Sequence, residues 1–132
     1  MAKRDLRVRP ELDLRVVLDG TIAIGPFQAL LLEGIRDTGS IAAAQRRLGA
    51  NYAHVWKLVA SMNTMFLPPL VYVARGGRSG GGARLTPAGH KVLSSFRRLE
   101  RLLQERGRGE LLAITRAASH AGSAQSPKSQ DD

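Results

Sequence analysis

Apolar side chains occupy every second position from residue 12 to residue 18, and the positions between them are mostly charged. This period of two predicts a half-buried strand. Asp19-Gly20 follows, a pair that favours a tight hairpin turn with positive φ, and residues 21–24 predict the returning strand. Gly25-Pro26 ends that strand. Residues 1–11 are charged and contain a proline, so they predict an irregular lead-in.

Three segments with a helical period come next. Proline is well tolerated at the first helical position, so Pro26 predicts the start of a helix that stops near residue 38. Ser40 is a good N-cap for a helix over residues 41–48, and Gly49 ends it. Asn51 caps a third helix that runs to about residue 66. The predicted inner faces are Phe27, Leu30, Leu31, Gly34 and Ile35 in the first helix; Ile41, Ala44 and Leu48 in the second; and Tyr52, Val55, Trp56, Val59, Met62 and Phe66 in the third.

The second half of the chain predicts a strand, a loop, a strand and a long helix. Pro68-Pro69 forbids helix, residues 70–74 resemble a strand, and residues 83–85 can pair back with it. Between them lie five glycines within residues 76–82. Thr86 predicts an N-cap for a helix from Pro87 to about residue 105. Residues 107–118 predict a short helix, and residues 119–132 predict a polar, disordered tail. No internal repeat is present.

This order of elements predicts a mostly α fold with small β: a winged helix-turn-helix over residues 12–106, with an N-terminal β-hairpin and a long C-terminal helix. In a helix-turn-helix the third helix of this series enters the DNA major groove. Trp56 belongs to the predicted inner face of the third helix, so its side chain is interpreted as part of the core. Tyr52 lies at the edge of that face, and a core position is favoured for it over DNA contact. The predicted DNA-binding residues are Ser40, Arg46, Arg47, Asn51, Tyr52, Ala53, His54, Lys57, Arg75, Gly77, Arg78, Arg84 and Thr86.

Composition agrees with a polyanionic partner. The 132 residues carry a net charge of +9, which indicates nucleic acid first and an acidic membrane surface second. Cysteine is absent, so disulfides and thiolate metal sites are excluded. No apolar run is long enough to span a bilayer and the N-terminus lacks a signal-peptide pattern, so we expect a cytoplasmic protein without a membrane partner.

Catalysis is not indicated by any motif. The glycine-rich segment lacks the Gly-Lys-Ser/Thr of a P-loop and the spaced glycines of a dinucleotide site. The three histidines are far apart in the chain, and the acidic residues form no acid/base pair. We therefore expect no enzyme activity, no catalytic residue, no metal and no cofactor.

Several segments resemble the N-terminal winged helix-turn-helix domain of ModE-type molybdate-responsive transcriptional regulators, over about residues 12–105. The resemblance rests on Thr38-Gly39-Ser40-Ile41, Leu48-Gly49, Trp56, Met62-Asn63 and the glycine-rich run from Gly76 to Thr86. Leu85 to Gly89 also resembles the more distantly related LysR-type regulators. Two departures are Tyr72-Val73, where the family usually has a Glu-Arg pair, and Asn51, where serine is common.

The resemblance implies a homodimer that binds double-stranded DNA, with the long helix as the dimerisation element. The predicted dimerisation residues are Val92, Phe96, Leu99 and Leu103. The family's oxyanion-binding modules have no counterpart in these 132 residues, so the expectation is a DNA-binding domain whose signal comes from a separate ligand-sensing partner. Two alternatives stay open: a non-specific architectural nucleic-acid-binding protein, and a small oxyanion-binding module.

Overall fold

A computed structural model describes residues 9–74 and 82–124, with side chains as far as residue 118. Asp13–Leu99 form one compact unit. The described residues on either side, 9–12 and 100–124, belong to a second unit. The predicted class, mostly helical with small β-hairpins, is confirmed.

The first unit begins with an antiparallel hairpin. Strand β1 is Val16–Leu18 and strand β2 is Thr21–Ile24. The turn has positive φ at both central residues, 49° at Asp19 and 78° at Gly20, as the sequence predicts. The predicted strand over residues 12–18 is too long, because β2 has only four residues and offers no further backbone partners before Gly25-Pro26.

Three helices follow, at the predicted positions. They are α1 (Pro26–Thr38), α2 (Ile41–Leu48) and α3 (Tyr52–Met65). Gly39 and Gly49 end the first two with φ of 74° and 66°, a conformation that favours glycine. Gly34 lies where α1 meets α2: a Cβ built on it would be 3.0 Å from the Ala44 Cβ. The absence of a side chain at Gly34 therefore permits the close approach of the two helices.

The core of this unit is mostly aliphatic and takes residues from all three of these helices, from the first hairpin and from the chain after residue 69. One prediction about the inner face of the first helix is corrected here, and one buried residue was missing from it. Leu30 is exposed, whereas Leu32 is fully buried. At 100° per residue, Leu30 lies opposite the face centred on Leu32 and Ile35. The buried hydrophobic residues are Ala23, Ile24, Ala29, Leu31, Leu32, Ile35, Ile41, Ala44, Val55, Val59, Met62, Leu70, Val71, Ala83, Leu85, Leu93 and Phe96.

A second hairpin and two helices follow in the described part of the chain. Strand β3 (Val71–Val73) pairs antiparallel with β4 (Ala83–Leu85). Helix α4 is Pro87–Arg106, and helix α5 is Arg108–Ala124. Helix α5 continues six residues beyond the predicted end at residue 118. None of the helices in the described ranges is long and apolar enough to cross a membrane.

Candidate nucleic-acid interface

The turn between α2 and α3 presents the first residues of α3 to solvent. The Ser40 hydroxyl accepts a hydrogen bond from the Ala43 N–H at 3.0 Å and caps α2. At the other end of α2, the Gln45 side chain donates to the Ala50 carbonyl at 2.6 Å. The Asn51 side-chain oxygen accepts from the His54 N–H at 2.9 Å and caps α3. Side chain to backbone bonds at these three points thus hold the helix-turn-helix in one geometry.

The outward side of α3 carries most of the predicted base-contacting residues. Ala53, His54 and Lys57 are exposed, as the sequence predicts. The His54 ring lies 6.0 Å from the Phe27 ring, centroid to centroid. The side-chain oxygen of Asn51 is engaged as the cap, so its amide NH₂ is the group left to bond a base.

The interpretation of Trp56 and Tyr52 as core is wrong. Trp56 is 36% exposed and Tyr52 52% exposed, and neither is among the buried residues of the core cluster. The centre of the buried face of α3 is Val55 and Val59, and Trp56 lies roughly a quarter turn away from it. The two rings contact each other edge to face, with centroids 6.1 Å apart. Both aromatic side chains therefore belong to the surface of α3.

The two arginines at the end of α2 have different surroundings. Arg47 donates to Asp37 at 3.2 Å, and Arg36 donates to the same carboxylate at 2.8 Å. The hydrogen bond from Arg36, reinforced by Arg47, lowers the pKa of Asp37. Arg46 is exposed and makes no ion pair with any described residue. Of the two predicted phosphate ligands, Arg46 thus has its charge uncompensated by any described residue, whereas Arg47 is paired with an acidic side chain.

The second hairpin, the wing of the predicted fold, is tied at its base to α3 by Asn63. The Asn63 side-chain oxygen accepts from the backbone N–H groups of Leu70 and Val71, both at 3.0 Å. Its NH₂ donates to the Val71 carbonyl at 2.9 Å. Sequence reasoning assigned Asn63 no role. The sequence signal for this role is a side-chain amide near the end of α3, seven residues before the predicted strand that it contacts.

On the exposed side of the wing, Arg84 lies over the Tyr72 ring, 4.4 Å from its centroid. These residues are cross-strand partners. The Ala83 N–H donates to the Gly39 carbonyl at 2.9 Å, which ties the wing to the turn between α1 and α2. Arg75, Gly77 and Arg78 lie outside the described residues.

The hydroxyls of two predicted DNA-binding residues are used inside the fold. Thr86 donates to the Pro69 carbonyl at 2.6 Å and accepts from the Gly89 N–H at 3.0 Å, which caps α4. The Ser40 hydroxyl caps α2. The structure therefore gives both side chains a structural role: Thr86 both donates and accepts, and Ser40 uses its oxygen as an acceptor.

The chain is similar to curated proteins of molybdenum metabolism. It is 44% identical over 86 residues to the molybdenum-pterin-binding protein MopB of Rhodobacter capsulatus, covering 64% of this chain and 32% of MopB. It is 35% identical over 88 residues to the molybdenum transport protein ModE of Azotobacter vinelandii, covering 65% of this chain and 33% of that protein.

A third relative is the DNA-binding transcriptional dual regulator ModE of Escherichia coli K12, 30% identical over 98 residues, which cover 74% of this chain and 37% of the regulator. The resemblance to ModE-type regulators is confirmed. The chain spans about a third of the length of the curated relatives that it matches. No protein-family profile matches it.

Where the ModE type usually has a Glu-Arg pair, the Tyr72 ring of this chain supports Arg84. Tyr72, the first of the two departing residues, thus forms a cation–π contact with its cross-strand partner. In the described part of this ModE-like chain, no group of three or more histidine, aspartate or glutamate side chains is arranged to hold a metal ion.

The predicted dimerisation residues differ in their accessibility. Phe96 is 3% exposed and belongs to the core of its own chain, so it is not available to a partner. Val92 is partly buried, and Leu99 and Leu103 are exposed. Within the first unit, an open apolar groove of about 390 Å³ runs beside α4. It is lined by Val16, Leu18, Ile24, Phe66, Leu67, Pro68, Leu70, Ala88, Lys91, Val92, Ser95, Phe96 and Leu99.

Proposed function

We propose that this chain binds specific sequences of double-stranded DNA and takes part in a transcriptional response to molybdate. The observation that carries the proposal is the capped N-terminus of α3, which presents Ala53, His54 and Lys57 together. In this geometry α3 enters the major groove, and Arg46 and Arg84 neutralise phosphates on either side. The regulatory role is supported by the similarity to ModE proteins.

We further propose that two copies bind as a symmetric dimer. The apolar groove beside α4, with exposed Leu18, Leu67 and Leu99 along it, offers a surface that a second copy would cover. Two α3 helices would then read half-sites about 34 Å apart, one turn of DNA. The predicted separate ligand-sensing partner stays a prediction.

The test is selection of duplexes from a randomised DNA pool with the whole chain, followed by binding of the enriched duplex at several salt concentrations. We expect affinity to fall steeply with salt and to exceed that for bulk DNA by a factor of about 10³. Lys57→Ala should weaken binding about tenfold. Arg98→Ala, which removes the same charge from an exposed position outside the apolar groove, is the matched control and should change affinity less than about twofold.

The outcomes separate the rival functions. If no duplex is enriched, specific DNA binding is wrong. If enriched and bulk DNA bind equally, and both respond to salt, the protein is an architectural nucleic-acid-binding protein. If Arg98→Ala weakens binding as much as Lys57→Ala, α3 is not the element that contacts the bases.

A second candidate, binding of a molybdenum compound, is favoured by the similarity to the molybdenum-pterin-binding proteins MopA and MopB. An open depression of about 720 Å³ in the first unit offers it little support. Arg15 is the one lysine or arginine among its described lining residues, and it is ion-paired with Asp13 at 3.1 Å. Equilibrium dialysis with molybdate tests this candidate, and binding at micromolar concentration would establish it.

A further inference from the structure

Tyr52 and Trp56 form an exposed aromatic pair on the first two turns of α3. They are four residues apart, so their side chains lie one above the other along the helix. Their rings meet edge to face at an interplanar angle of 68°. Trp56 is 36% exposed and Tyr52 52% exposed, and covering aromatic surface stabilises a complex.

The core does not need this pair. Val55, Val59 and Met62 fill the buried side of α3 and are each at most 3% exposed. The aromatic pair lies next to Ala53 and Ala60, which are both exposed and small. Because the two alanine side chains are short, a partner surface can approach the two rings closely.

The charge around the pair identifies the occupant. Lys57 follows Trp56 directly and is exposed, and the net charge of the chain is +9. An apolar patch bordered by a lysine suits a partner that is anionic at its rim and apolar at its floor. The major groove of DNA has that character where it contains thymine, because the C5-methyl is the apolar group that base pairs expose there.

We propose that Tyr52 and Trp56 contact thymine C5-methyl groups in the major groove and select for thymine at those positions. The proposal rests on the proposed function, because it requires α3 to enter the groove. Removing one buried methyl group weakens an interaction about fourfold. Each thymine read in this way should therefore contribute a factor of that size.

The experiment uses the whole chain and the duplex enriched from the randomised pool. Each thymine is replaced in turn by deoxyuridine, which lacks only the methyl group. Fluorescence anisotropy then gives the affinity of the wild type, Trp56→Ala, Tyr52→Ala and the exposed control Leu30→Ala. We expect one or two positions where deoxyuridine weakens wild-type binding about fourfold, but no longer weakens binding once the contacting aromatic residue is alanine.

The control should respond to deoxyuridine as the wild type does. If Trp56→Ala fails to fold, Trp56→Phe and the deoxyuridine series on the wild type still test whether the aromatic pair contacts thymine methyl groups. The proposal is overturned if no thymine position responds, or if the response is the same in every variant. It is also overturned if Trp56→Ala changes the oligomeric state in sedimentation, since the pair would then bind a second copy. Failure to enrich any duplex would instead contradict the proposed function.

Discussion

Asn63→Ala is the substitution that most directly tests the connection between α3 and the wing. It removes three hydrogen bonds: two from the N–H groups of Leu70 and Val71 and one to the Val71 carbonyl. A hydrogen bond contributes about 0.5–1.5 kcal/mol to stability. Because the site is partly buried and water can replace some of these bonds, we expect a loss of about 2 kcal/mol, from the lower half of the summed range.

The assay is urea unfolding followed by circular dichroism. With an m-value of about 2 kcal/mol per molar urea, the midpoint should fall by about 1 M. Affinity for the enriched duplex should also fall under conditions where the variant is folded, because the wing is no longer held against α3. Gln104→Ala removes an exposed amide that bonds no described residue, and its midpoint should not change.

Asn63→Asp separates the acceptor and donor contributions. The carboxylate still accepts from the two N–H groups, but at neutral pH it faces the Val71 carbonyl without a proton. Relative to the wild type at each pH, this variant should become more stable as the pH falls below about 4, where the carboxyl group can donate. An unchanged urea midpoint for Asn63→Ala would refute the reasoning, and unchanged DNA affinity would show that the wing does not depend on this bond.

Two further predictions concern packing and pH. Gly89→Ala places a methyl group against the Leu70 carbonyl oxygen and should lower the free energy of unfolding by about 3 kcal/mol. In the control Gly109→Ala the new methyl group meets nothing within 4 Å, so stability should be unchanged or higher by up to about 1 kcal/mol. Equal thermal unfolding midpoints for the two variants would contradict the packing argument. The Arg97 hydrogen bonds lower the pKa of Glu33, so the stability they add is present above about pH 4.3 and is lost as the pH falls through the lower, folded pKa. Glu33→Gln should flatten the acid side of the stability–pH profile, and an unchanged profile would contradict this reasoning.

Element boundaries could be predicted because short-range chemistry sets them. A proline opens α1, and the capping side chains Ser40 and Asn51 bond to N–H groups three residues later. The glycines that end α1 and α2 adopt positive φ. Each signal lies within a few residues of the boundary that it defines, so no knowledge of tertiary contacts is needed.

The surface of α3 could not be predicted in the same way. The apolar face of α3 is wide when it includes Trp56, and only part of it packs against the rest of the chain. The positions of the neighbouring elements determine which part is buried, and the sequence pattern does not give those positions. Arg47 illustrates the same limit. Its partner Asp37 is ten residues away, and the pairing depends on how α1 and α2 meet. Thr86 was predicted to cap the long helix, but its bond to the Pro69 carbonyl seventeen residues earlier could not be foreseen from the sequence.

The wing is held by backbone groups, and this has a consequence for specificity. Asn63 binds the peptide groups at the start of β3, and the Gly39 carbonyl binds the peptide N–H at the start of β4. Neither contact depends on the side chains that the wing strands present to solvent. Those side chains, and the outward residues of α3, can therefore differ between related proteins without changing the distance between α3 and the wing. If α3 and the wing bind DNA as proposed, sequence preference can vary through side chains such as Trp56, Lys57 and Arg84 while the docking geometry stays the same.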